Sequence, residues 1–105
     1  MVDTLRDLTE TIRERRVSDP AFSYVAKLFS NGREKIAQKV GEEATEVVIA
    51  AMGGDPVKLT AEAADLVFHL MILLEEGGAS IADVLAELDR REGLSGLAEK
   101  AGRTD

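Results

Sequence analysis

Apolar residues recur every three or four positions along most of the chain. Each such run ends at a Gly, Asn or Pro signal, which is the pattern of successive amphipathic helices. Leu5, Leu8 and Ile12 form the first stripe and predict a helix from Asp3 to about Arg16. Ser18-Asp19-Pro20 then interrupts the period. Ser18 or Asp19 can cap, and Pro20 suits a first helical turn. A short second helix is therefore expected from Pro20 to about Ser30, with Phe22, Val25, Leu28 and Phe29 turned inward. Asn31-Gly32 marks its end.

The third helix is expected from about Arg33 to Met52, with Ile36, Val40, Val47 and Ala51 along one stripe. Gly53-Gly54-Asp55-Pro56 closes it, glycine as C-cap and proline as restart. The fourth is expected from about Val57 to Glu76, carrying Leu59, Ala63, Leu66, Leu70 and Leu73, and Gly77-Gly78 stops it. Ser80 caps the fifth, with Asp83 as a capping-box partner, and Ile81, Val84, Leu85 and Leu88 form its apolar side up to Gly93. The only β-branched cluster, Val47-Val48-Ile49, lies inside a helical period. The expected fold is all-α, a bundle of four to five helices. It forms one domain over residues 1–92, followed by a tail over 93–105 with a helical turn around Leu97.

Composition sharpens this reading. Aromatic residues are 4% of the 105, Trp is absent and Pro occurs twice, which favours helix. The net charge of −7 argues against a nucleic-acid binder, which needs a basic surface. Cysteine is absent, so disulfide and thiolate chemistry are excluded. The segment Met1–Arg6 has no apolar signal region, and the apolar run Leu70–Leu74 is too short to span a bilayer. A cytoplasmic protein without membrane or nucleic-acid partners is expected.

Candidate chemistry sits in two acidic pairs, Glu43/Glu46 and Glu62/Asp65. Each has i,i+3 spacing and lies among apolar residues, with Glu43 on the third helix's own stripe. The break between the two helices is short, so they should pack as antiparallel neighbours. At roughly 1.5 Å per residue, both pairs lie about 10 Å from the loop. They are level, and four carboxylates should converge. Such a group repels itself unless a hard divalent cation neutralises it, and an all-oxygen site suits Mg²⁺ or Mn²⁺. The plainer alternative is a pair of solvated helix faces. A di-iron site would want Glu-x-x-His on two helices, and the chain has one histidine. That residue, His69, one turn beyond Asp65, reads as a buried hydrogen-bonded partner rather than a ligand. Lys35 and Lys39 share a face just before the acidic stretch and could meet a polyphosphate. Lys27 reads as solvated, and Arg90 and Arg91 suit the C-terminal dipole of the fifth helix.

Gly41-Glu42-Glu43-Ala44-Thr45-Glu46 followed by Ala61-Glu62-Ala63-Ala64-Asp65-Leu66 resembles the E-E-x-x-E…E-x-x-D signature of the all-α, MazG-like nucleoside triphosphate pyrophosphohydrolases. The flanks narrow the resemblance. Asp19-Pro20, Ser23-Tyr24, Ala26-Lys27-Leu28, Lys35-Ile36, Gln38-Lys39-Val40-Gly41 and His69-Leu70 are similar to the phosphoribosyl-ATP pyrophosphohydrolase family of histidine biosynthesis. Over about Leu5 to Arg91, the resemblance implies Mg²⁺-dependent hydrolysis of phosphoribosyl-ATP to phosphoribosyl-AMP and pyrophosphate, by attack of water between the α and β phosphates. It implies Glu43, Glu46, Glu62 and Asp65 as metal ligands, and Glu42 as a further carboxylate beside Glu43 and Glu46 in the catalytic group. Lys35, Lys39 and Arg33 would contact phosphates. A homodimer is implied as well. The alternatives are a MazG-like hydrolase of noncanonical nucleotides and a non-catalytic helical interaction module.

Overall fold

Local sequence signals place five helices, and their short connections fold them back on one another. The computed structural model describes residues 2–93, so the expected turn around Leu97 lies outside the described residues. The helices are α1 (Val2–Arg16), α2 (Tyr24–Asn31), α3 (Arg33–Gly53), α4 (Pro56–Glu76) and α5 (Ile81–Glu92). Among the described residues there is no strand.

α3 and α4 are each 21 residues long and form the long hairpin on which α1 and α2 pack, with α5 packing mainly on α1. Gly54 ends α3 in the left-handed region (φ 80°), which a side chain would resist. Asp55 then caps α4, its carboxylate accepting from Val57 N–H at 3.0 Å, with Pro56 in the first turn. Gly77 closes α4, and Ser80 and Asp83 form the expected reciprocal capping box on α5.

The second helix starts later than its sequence suggests. Asp19 accepts from the backbone N–H of Phe22 and Ser23 through its carbonyl, and from Ala21 through its carboxylate. That closed turn uses the proline without propagating a helix. Ser23, in extended geometry, is the true cap and accepts from Ala26 N–H. The consequence is that Phe22 is 90% exposed rather than inward.

The core sits at one end of the hairpin. Ile12 of α1, Val25 and Leu28 of α2, Ile36 of α3, and Met71 and Ile72 of α4 are buried together, with Leu5, Leu8, Phe29, Phe68, Leu73 and Ile81 against them. Two stripes sit differently from expectation. Ala50 is buried instead of Ala51, and Leu88 of α5 is 54% exposed. Polar clamps fix the C-terminus of α4. Arg13 grips Glu75 with two hydrogen bonds of 2.9 and 3.1 Å. Arg16 donates to Glu76 at 3.2 Å. Arg33 from α3 donates to the Glu76 carbonyl at 3.1 Å and pairs with its carboxylate. Three guanidinium groups thus meet the negative end of the α4 dipole.

Candidate metal centre and adjoining pocket

The i,i+3 spacing on α4 turns Glu62 and Asp65 to the side that faces α3, and the antiparallel hairpin brings Glu43 level with them. One carboxylate oxygen from each of Glu43, Glu62 and Asp65 lies within 4.8 Å of the other two. Glu43 and Glu62 are half-buried and Asp65 is exposed. Glu46, one turn further along α3, is exposed and lies outside this group. Three oxygen donors from two rigid helices, with no sulfur or imidazole among them, fit a hard divalent cation. Without one, three negative charges this close repel.

Lys39 stands beside the group. Its Nζ is 3.6 Å from both Glu42 and Glu43. Its pKa is raised, by Tyr24 in its phenolate form first and then by the two glutamates. Glu42 points to solvent and accepts from Gln38 Nε2 at 2.9 Å. That hydrogen bond, followed by Lys39 and Lys35, holds the Glu42 carboxyl below the usual range. Glu42 therefore stays ionised at neutral pH. Arg33 is turned to Glu76 at the opposite end of α4, away from Lys35 and Lys39. Arg90 and Arg91 clasp Glu87 on α5.

His69 is 5% exposed and lies outside the carboxylate group. Its Nδ1 is 2.7 Å from the Asp65 carbonyl, which can only accept, so Nδ1 carries the proton. In the neutral ring Nε2 is then an acceptor, and the Tyr24 hydroxyl donates to it at 2.8 Å. The backbone at Asp65, the imidazole and the phenol form one chain of hydrogen bonds. Tyr24 also stacks on Phe68. The Tyr24 pKa is raised, by burial first, with Glu43 and Asp65 adding to it against Lys39. Those contributions place the phenol within reach of the carboxylate field.

Tyr24 is the site residue that periodicity alone misses. It begins α2, and only the tertiary fold brings it to α4. The wall it forms belongs to a cavity of about 290 Å³ between α2 and α3, whose lining includes Tyr24, Asn31, Lys27, Lys35, Lys39 and the acidic Glu42.

The family profile described as phosphoribosyl-ATP pyrophosphohydrolase matches residues 5–92. A phosphoribosyl-ATP pyrophosphatase of Rhizorhabdus wittichii is 66% identical over 103 residues, covering 98% of this chain and 97% of that protein. Proteins of the same name from Novosphingobium aromaticivorans and Erythrobacter litoralis are 60% and 59% identical, over 98% and 99% of this chain and 96% and 100% of theirs.

Proposed function

The chain belongs to the phosphoribosyl-ATP pyrophosphohydrolase family, and we propose that it hydrolyses phosphoribosyl-ATP to phosphoribosyl-AMP and pyrophosphate in histidine biosynthesis. The observation that carries this reading is the convergence of Glu43, Glu62 and Asp65 across the α3–α4 hairpin. A phosphoric anhydride needs its charge neutralised before water can attack it, and these residues are built to do that through a cation.

Glu43, Glu62 and Asp65 would hold Mg²⁺, with Glu46 able to join them once substrate and ion are present. Bound there, Mg²⁺ supplies compensation for the charge that builds on the leaving pyrophosphate. The protein's own groups do the rest. Lys39, beside Glu42 and Glu43, offers its ammonium to phosphate oxygens. Lys35, one turn earlier, carries positive charge on from there into the cavity between α2 and α3. Glu42, kept ionised by Gln38 and the lysines, accepts a hydrogen bond from the attacking water and orients it. Its lowered pKa makes it a poor proton store, so its role is alignment rather than strong base catalysis. No covalent intermediate is required.

The working form is a homodimer in the cytoplasm. Val48, Ile49 and Met52 of α3 and Val57 and Val67 of α4 are exposed on the hairpin, and apolar side chains gathered on one element mark an interaction surface. A second copy packed there would cover it. Among the described residues no helix is long and apolar enough to cross a membrane.

Competition between substrates tests the assignment. Phosphoribosyl-ATP should be cleaved with a kcat/KM at least a hundredfold above dUTP and the ordinary triphosphates. Equal turnover of dUTP would transfer the chain to the housekeeping hydrolysis of noncanonical nucleotides.

A further inference from the structure

Phosphoribosyl-ATP carries phosphate at two places, the triphosphate and the single phosphate ester of its second ribose. The metal group serves only the first. The adjoining cavity has the composition the second would need. Lys27 from α2 and Lys35 from α3 both line it, and neither makes an ion pair with a described residue. Asn31 adds an amide to the same lining. The other two cations of α3 are engaged, Lys39 by Glu42 and Glu43 and Arg33 by Glu76. Three ammonium groups, Lys27, Lys35 and Lys39, line one cavity of about 290 Å³ against the carboxylate of Glu42, and that excess of positive charge, in a chain of net charge −7, marks a place for an anion.

The position agrees with the substrate's shape. Glu43, Lys39 and Lys35 follow each other at one-turn intervals along α3. From Glu43 to Lys35 is about 12 Å at roughly 1.5 Å per residue. Lys39 divides the two regions, touching the carboxylates and lining the cavity. Tyr24 forms a fixed wall, because its hydroxyl is tied through His69 to the Asp65 backbone. A flat, half-exposed ring at that point suits a ribose or base edge.

Resting on the function proposed above, we propose that the cavity between α2 and α3 is a phosphate-monoester subsite. In it Lys27 and Lys35 bind the phosphoribosyl phosphate and so distinguish phosphoribosyl-ATP from a plain nucleoside triphosphate. The subsite makes Lys27 and Lys35 specificity residues, and Asn31 a supporting donor.

Calorimetric binding of phosphoribosyl-AMP and of AMP to the full chain tests this apart from turnover, since the two differ by the phosphoribosyl arm. Wild type should bind phosphoribosyl-AMP more tightly. The Lys27→Met/Lys35→Met double variant should lose about tenfold or more of that preference, the scale of lost charge-assisted hydrogen bonds. Both lysines are exposed, so the variant should keep the wild-type circular dichroism. A retained preference overturns the subsite. So does an equal loss of affinity for AMP and phosphoribosyl-AMP, which would return both lysines to the nucleotide phosphate. Wild-type hydrolysis of phosphoribosyl-ATP, measured on the same preparation, stands or falls separately and tests the proposed function itself.

Discussion

Removing one oxygen from Tyr24 leaves a buried ring nitrogen of His69 with no donor. Tyr24→Phe keeps the stacking on Phe68 but breaks the 2.8 Å hydrogen bond. It should destabilise the fold by about 1–3 kcal/mol, read as a lower urea midpoint at unchanged slope. At Glu43 the opposite sign is expected. Glu43→Gln removes one of three mutually repelling carboxylates. In EDTA the variant should melt at or above the wild-type temperature. With Mg²⁺ in roughly 100-fold excess over its Kd, only wild type should gain, by about 2.7 kcal/mol. A wild-type melting temperature indifferent to Mg²⁺ would contradict the metal centre. Three of the four expected carboxylates, Glu43, Glu62 and Asp65, converge because spacing and loop distance are local arithmetic, while Glu46 lies outside the group. The Tyr24–His69–Asp65 chain was not legible in the sequence, because it joins residues 45 positions apart through the packing of α2 on α4. The resemblance likewise implies a phosphate contact for Arg33, whereas the fold turns it to Glu76.

Helix α5 shows how an element's own charges respond to pH. Glu87 accepts from Arg90 at 2.9 and 2.8 Å and from Arg91 at 2.9 Å. Those hydrogen bonds pull its carboxyl down to about 2 from an ordinary 4.5. The folded value lies below the unfolded one. The stabilisation is therefore complete above pH 4.5 and is lost as pH falls from there towards 2. Carboxyl-carbon NMR should find the Glu87 midpoint near 2, and a midpoint near 4.5 would contradict the clasp. At this scale most of the fold was legible: the glycine stops, the Ser80–Asp83 box and the α3–α4 break are chemical signals confined to a few residues. The start of α2 was not, because Asp19-Pro20 offers a credible cap and the competing cap at Ser23 is settled only by backbone geometry. The error carried Phe22 into an expected core that it does not join. On α3 the buried position is Ala50, where the helix packs on α4 and α2, and on α5 Leu88 stays exposed because that helix packs mainly on α1.

The whole molecule measures 49 × 34 × 28 Å with a radius of gyration of 15.9 Å, against about 13 Å for a compact domain of 100 residues. It is long because the α3–α4 hairpin runs past the core, and its far end carries the exposed Val48, Ile49, Met52 and Val57. A second copy would cover that end, so Met52→Glu with Val57→Glu should convert a sedimenting dimer to monomer. Wild type sedimenting as a monomer would contradict the assembly. In the proposed reaction the hairpin carboxylates run a metal-dependent cleavage of phosphoribosyl-ATP. Pyrophosphate release from that substrate, with Mg²⁺ and with EDTA, for wild type, Glu43→Gln and Asp65→Asn, tests it most directly. Wild type should release pyrophosphate only with Mg²⁺, and each variant should fall by at least a hundredfold while its helical circular dichroism persists. Full turnover by both variants, or release by wild type in EDTA, would contradict it.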